Sequence, residues 1–325
     1  MKTATSSPHT KKSPGWFQNR LFVESIVRRM GLFIFGFLLM WLVAGCDLYE
    51  QDDYVEQYVI ESFFTSDEPL AKIKLSTTVP FFETYRFEDV AVSGADVQVH
   101  LLDPDGSVET TYSYSESDLT RGHYFADDTT AVVKPLRMYK LEITNLAQEN
   151  ERITATTLVP PAIQLLEVNN TDLVYQGADQ FEATFIPGNY PGRQSIFVAS
   201  ALALDPDNFP LTPFWDDQDS EEGEFVRVSS GIVNEGNYDT NPDGSLTLKY
   251  PWIGIAYFGP NELSIYTIDD NLYDYQRSVN IQGGGSTLSP GQIENVLWNV
   301  DGGIGVFASR SGISFEVFID FPDLP

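Results

Sequence analysis

Apolar and polar residues alternate with period two through the stretch from Tyr54 to Leu158. In Ala95-Asp-Val-Gln-Val-His-Leu101 the apolar Ala95, Val97, Val99 and Leu101 fall on one face and Asp96, Gln98 and His100 on the other, the pattern of a half-buried strand. Ala71-Lys-Ile-Lys-Leu75 and Tyr139-Lys-Leu-Glu-Ile143 repeat it. Residues 56–64 and 152–158 are rich in β-branched and aromatic side chains, which suit a pleated surface. Asp103-Pro-Asp-Gly106 supplies a turn, with proline preset for the second position and glycine free to take positive φ. About seven short strands with turns between them predict an antiparallel β-sandwich over residues 54–159.

The strand ending at Val159 runs into Pro160 and Pro161, and two successive residues without an N–H cannot continue a central ladder. A domain boundary is predicted there. Residues 162–325 then read as a second β-rich domain, with strands over 181–186, 195–203, 246–258, 262–268, 304–309 and 313–319 and a single helical stretch from Asp270 to Val279. Polar insertions at 215–224 and 231–244 separate them. The expected fold class is all-β throughout.

The N-terminus follows a different pattern. Residues 31–44 are apolar without interruption, but the run falls short of the roughly 20 residues that span a bilayer. Arg28 and Arg29 precede it, and it closes on Val43-Ala44-Gly45-Cys46, which resembles the bacterial lipobox. Residues 1–45 are therefore expected to be a lipoprotein signal peptide, with Cys46 as the lipidated mature N-terminus. A short membrane anchor ending in a chance cysteine is the competing reading. Cys46 is the only cysteine, so an intramolecular disulfide is excluded. Residues 46–53 form an acidic tether, similar to the surface-export signals of some lipoproteins. Both the periplasm and the cell surface stay open as locations.

Beyond residue 45 the chain carries 13 Lys and Arg against 46 Asp and Glu, a formal charge of −33. Such a body repels nucleic acid and leaves cations, sugars or basic protein surfaces as partners, although the charge also serves solubility alone. The 42% hydrophobic and 13% aromatic content argues for a packed core rather than disorder.

Asn299-Val-Asp-Gly-Gly-Ile-Gly-Val-Phe307 adds a signature. Together with the lipobox, the early Tyr58-Val-Ile-Glu-Ser strand, Val92-Ser-Gly-Ala-Asp-Val97 and Tyr275-Gln-Arg-Ser, it resembles the DUF4249 family of Bacteroidetes lipoproteins. The resemblance implies an outer-membrane or periplasmic lipoprotein, an N-terminal module of the carboxypeptidase-regulatory or transthyretin-like type, and an association with TonB-dependent receptors. It brings no catalytic residues. The long leader and the acidic insertions depart from the family pattern.

Catalytic chemistry is hard to find in the residues themselves. Only His100 and His123 remain beyond residue 45, at no metal-ligand spacing, and no nucleophile elbow or phosphate-cradling loop occurs. No enzyme activity and no resident cofactor are expected. Asp239-Thr-Asn-Pro-Asp-Gly244 matches the first half of a calcium loop, so Asp239, Asn241 and Asp243 are candidate metal ligands. Tyr250 stands where the closing bidentate acid belongs, and the same residues make an ordinary turn. Two functional readings follow. The chain is a non-catalytic, lipid-anchored accessory protein that binds an envelope partner such as a TonB-dependent receptor, with Phe307 as an anchor beside the glycines or as a core residue. Alternatively it binds glycan, peptide or calcium, with Trp215, Tyr250, Trp252, Tyr257 and Phe258 as an aromatic platform or as core.

The anchor is directly testable. Cys46→Ala is expected to release the protein from membranes or leave it as uncleaved precursor, and intact-mass measurement of the wild-type protein is expected to show acyl chains on Cys46. A wild-type mass without acyl groups would remove the anchor.

Overall fold

The computed structural model describes residues 54–147, 151–216, 225–282 and 295–322; Cys46, the apolar run before it and the tether lie outside them. The described strands are β1 (Tyr58–Thr65), β2 (Ile73–Thr77), β3 (Asp96–Leu102), β4 (Val108–Glu116), β5 (His123–Ala126), β6 (Met138–Thr144), β7 (Ile153–Leu158), β8 (Gln164–Val168) and β9 (Asp172–Val174). They continue with β10 (Glu182–Ile186), β11 (Ile196–Ala203), β12 (Arg227–Ser229), β13 (Val233–Asn234), β14 (Asp239–Thr240), β15 (Leu246–Lys249), β16 (Gly259–Ile268), β17 (Val300–Asp301) and β18 (Ile304–Asp320). Among the described residues three α-helices accompany them: α1 (Phe87–Val90), α2 (Pro213–Asp216) and α3 (Asp270–Asn280).

The chain is all-β with sandwich-like packing, as the alternation predicts. In β3, Val97, Val99 and Leu101 are buried while Asp96 and Gln98 are exposed. In β6, Tyr139, Leu141 and Ile143 are buried in the same way. β11 breaks the rule because both of its faces are covered: Phe197, Ala199 and Ala201 enter one core, and Ile196 and Val198 pack with Leu272 of α3.

A 14-stranded sheet has the order β12-β11-β16-β18-β1-β2-β5-β4-β3-β6-β7-β17, with β13 beside β11 and β9 beside β18. From β1 to β7 every pairing is antiparallel. These strands curl around a first core that includes Ile60, Phe64, Tyr124, Tyr139, Leu141 and Phe307. A four-stranded sheet, β14-β15-β10-β8, packs Phe181, Phe185 and Leu246 against Phe197, Leu263, Ile265 and Ile319 of the large sheet to make a second core. Pro160-Pro161 falls between the two cores in sequence, while the large sheet runs through both.

β18 joins them. Its first part pairs in parallel with β1, from Val59↔Ile304 to Thr65↔Arg310. Its second part pairs antiparallel with β16, from Ile268↔Arg310 to Gly259↔Ile319. The sequence predicts two strands with a break at Arg310-Ser311-Gly312; the structure has one strand, because β16 supplies hydrogen-bond partners across the polar triplet. Glycine is required at 312, where the Tyr266 ring occupies the space a Cβ would need. The predicted strand over 246–258 is shorter than expected. It ends at Lys249, before Pro251, and Trp252–Gly254 form a 3₁₀ turn.

The alternation in β3 makes a paired prediction. Val97 is 2% exposed, so Val97→Asp buries an unpaired charge and is expected to cost at least about 4 kcal/mol, whereas Gln98→Lys changes stability by less than about 0.5 kcal/mol. Urea denaturation of both variants checks the difference.

Candidate functional site

The calcium-loop residues form a hairpin turn between β14 and β15. The Gly244 amide donates to the Asn241 carbonyl at 2.9 Å, and the Asn241 amide donates to the Ser245 carbonyl at 2.9 Å. Asp243 Oδ1 accepts from the Ser245 hydroxyl at 2.7 Å and the Ser245 amide at 3.0 Å, and these bonds hold its carboxyl below the usual range. Asn241 Nδ2 donates to Ser245 Oγ and Thr247 Oγ1, and Asp239 lies in the short β14 ladder. Among the described residues no group of three or more His, Cys, Asp and Glu is placed to hold a metal ion. His100 bonds Thr111 Oγ1 through Nδ1 and lies 3.6 Å from Glu142, while His123 packs edge-on against Phe87.

The five aromatics do not make one exposed face: Trp215 is half-buried, packs on Phe225 and donates through Nε1 to the Ile253 carbonyl at 3.1 Å. Tyr250, Tyr257 and Phe258 are buried, and the Tyr250 hydroxyl donates to the Ser264 carbonyl at 2.5 Å. Trp252 packs against Tyr175 and Phe181 at the second core. Their spacing reflects core packing. Phe307 is likewise fully buried, edge-on to Phe64 with ring centroids 5.1 Å apart, so it anchors the first core and not a partner. The glycine signature around it is structural. Gly305 has φ +111, and a Cβ there would overlap the Ile60 carbonyl of β1. Asn299 Oδ1 accepts from the Phe307 amide at 3.0 Å, and its Nδ2 donates to the carbonyls of Thr156 and Phe307.

The three most exposed large apolar side chains among the described residues lie elsewhere. Phe81 and Phe82, in the connection between β2 and α1, are 88% and 83% exposed, and Leu119 in the β4–β5 loop is 94% exposed. Phe81 and Phe82 pack only on each other, edge-on at 5.7 Å, among the described ring pairs. The segment that carries them is held firmly at its base. Tyr85 shares a hydrogen bond with Ser76, the Val92 amide donates to the Leu75 carbonyl, and Arg121 Nη2 donates to the Ala91 carbonyl. Thr78 exchanges bonds with Gln57 just before β1, so these loops leave the same end of the sheet at which the chain enters it. Sequence reasoning missed this feature; its signal was Pro-Phe-Phe at 80–82 in a connection between two alternating strands, where apolar residues have no core face to fill.

Asp269 is the buried titratable group that the sequence did not single out. It caps α3, accepting from the Leu272 amide at 2.9 Å, and accepts from the Thr157 hydroxyl at 2.6 Å. It thereby ties α3 to β7. Burial is the main cause of its pKa being raised to about 6, against the hydrogen bonds that favour the carboxylate.

A family model, described as a domain of unknown function (DUF4249), matches residues 47–312. The chain belongs to the DUF4249 family. The match spans both cores of this DUF4249 protein, and it names no activity. No curated protein matches. Among solved structures, trypsin-activated alpha-2-macroglobulin from Escherichia coli is similar at 12% identity and a TM-score of 0.21, over 66% of this chain but 14% of that one. A DUF4785 family protein from Legionella pneumophila matches at 12% identity and a TM-score of 0.23, over 65% of this chain and 52% of that one. Three N-terminal domains of the bacteriophage RB49 outer capsid protein Hoc match at 9% identity and a TM-score of 0.21, over 82% and 71%. The DUF4249 chain thus spans a small part of the first of these proteins, and likeness at such scores says nothing of its function.

Asp269 generates a pH prediction. Its proton is held more tightly in the folded chain than in the unfolded one, so its contribution to stability is fully present below its ordinary value of 3.8 and is lost as pH rises through about 6. Asp269→Asn removes this titration. The stability difference, wild type minus variant, is expected to fall by about 3 kcal/mol between about pH 4 and about pH 7. Urea denaturation at several pH values reads it, and a flat difference would assign the dependence to other acids.

Proposed function

We propose that this protein is a non-catalytic accessory component of the cell envelope, held on the outer membrane by acyl chains at Cys46, which binds a protein partner embedded in the same membrane. A receptor of the TonB-dependent type fits this role. The observation that carries the reading is the aromatic projection at Phe81 and Phe82, exposed on a firmly held loop. Large apolar side chains kept in water by a rigid base mark interaction sites rather than packing accidents.

The place of the projection supports a membrane-embedded partner. Gln57, which bonds Thr78 at the start of the same connection, lies 11 residues after Cys46, a reach of at most about 40 Å. Lipid anchoring confines the loop and such a partner to one surface, which raises their effective concentration, so a modest interface stays occupied. Charge favours protein over lipid as the contact. The two connections carry Glu83, Glu88, Asp89 and Asp118 against Arg86 and Arg121, a net negative charge that anionic head groups would repel.

Site-specific photocrosslinking from positions 81 and 82 in native membranes is expected to yield an adduct with a membrane protein. Phe81→Ser combined with Phe82→Ser is expected to reduce recovery of that partner at least fivefold and to leave the melting temperature unchanged. Adducts to lipid alone, or turnover of a substrate by the purified protein, would reverse the reading.

A further inference from the structure

A cavity of about 410 Å³ opens on the face of the large sheet that α3 covers. Val198 and Ser200 of β11 and Tyr266 of β16 line it from the sheet, and Tyr275 of α3 lines it from above. Arg227 and Arg310 both reach into it, and among the described residues no acidic one lines it. In a body of formal charge −33 two guanidinium groups with no carboxylate among the described lining residues are unexpected.

Each arginine is held by neutral groups. The Arg310 guanidinium stacks over the Tyr266 ring, 4.1 Å from its centroid, and its Nε donates to Thr65 Oγ1 at 3.1 Å. Arg227 Nη1 donates to Ser200 Oγ at 3.2 Å. Neither forms an ion pair among the described residues, whereas Arg137, Arg152 and Arg193 each do. Stacking and hydroxyl contacts fix the position of a guanidinium without neutralising it, and leave donors for another acceptor. The polar floor extends beneath. Ser264 pairs with Ser200 in the β11–β16 register, on the face of β16 that bears Tyr266, and its buried hydroxyl has no hydrogen-bond partner among the described residues.

We infer that this cavity is a binding site for a small organic oxyanion, a carboxylate or a phosphate ester, whose charged end pairs with Arg227 and Arg310 while its apolar part lies against Val198, Tyr275 and Val279. The guanidinium fork matches the two oxygens of a carboxylate or phosphate, which a neutral ligand cannot offer. Within a concavity the attraction is less screened than it would be on an open surface. The volume lies within the range of small-molecule sites, about 300–1,000 Å³. The site belongs to the second half of the chain and makes no use of the Phe81-Phe82 projection, so it stands or falls independently of the partner reading.

Calorimetric titration of the full mature protein in detergent tests it with three probes of one shape: benzoate, phenyl phosphate and the neutral benzamide. Saturable binding of benzoate or phenyl phosphate, absent for benzamide and weakened by added salt, is expected. The tighter of the two anions identifies carboxylate or phosphate as the natural group. Arg227→Gln and Arg310→Gln are each expected to weaken binding at least tenfold, while Lys72→Gln, which removes the same charge from β1–β2, leaves it unchanged. Arg310 also contacts Thr65, so if Arg310→Gln impairs folding the exposed Arg227 decides the matter. Absence of saturable anion binding, equal binding of benzamide, or an Arg227→Gln protein that binds as the wild type does would each overturn the assignment.

Discussion

A strand as long as β18 must find hydrogen-bond partners along its whole course, since buried backbone groups left unpaired are costly. β18 meets this demand by pairing with β1 over its first part and with β16 over its second, changing neighbours at Arg310. The change places Phe307 in one core and Val317 and Ile319 in the other on a single continuous backbone. The two halves of the chain are therefore held together by a shared ladder, and residues 55–325 form one compact unit. Asp269 reinforces the junction from the helix side through Thr157 of β7, and Ser309 of β18 bonds the same threonine.

The glycine signature serves the same junction. Its backbone lies so close to β1 and to Arg152 that side chains do not fit, and Asn299 stitches the start of β18 to the Thr156 carbonyl. The glycine run at 302–305 is thus one that keeps the fold. Family membership consequently constrains architecture and is silent about ligand or partner, which must be sought where the fold does not need the residues it displays.

Two such places have opposite chemistry. The connection after β2 shows aromatic rings to solvent near acidic residues, and the cavity beside α3 shows guanidinium groups with hydroxyls and a tyrosine ring. Neither arrangement is the one that folding alone would favour most. Exposed phenylalanines gain no burial, and Arg227 and Arg310 have, among the described residues, none of the carboxylate pairing that Arg137 and Arg152 find. Residues kept in positions that do not favour folding are the ones most readily explained by what they bind.

How much of this was legible beforehand follows from the range of the interactions involved. Strand character depends on side chains two residues apart, so the alternation of Ala95–Leu101 and Tyr139–Ile143 sufficed for the all-β class, and the longest described helix, at 270–280, was visible because its period and cap are local. The turn at 241–244 was legible for the same reason. The continuity of β18 was not, because Arg310-Ser311-Gly312 reads as a turn until β16 lies beside it. Nor was the fate of the aromatics, since Tyr250 and Phe258 are apolar in any context and only the packing of the second sheet decides that they are core. The paired arginines lie 83 positions apart in the chain and have no motif in common. Local periodicity sets what each segment is, and contacts between distant segments set which side chains meet. In this protein the elements were therefore written in the sequence, while the cavity and the aromatic projection came into being only with the tertiary structure.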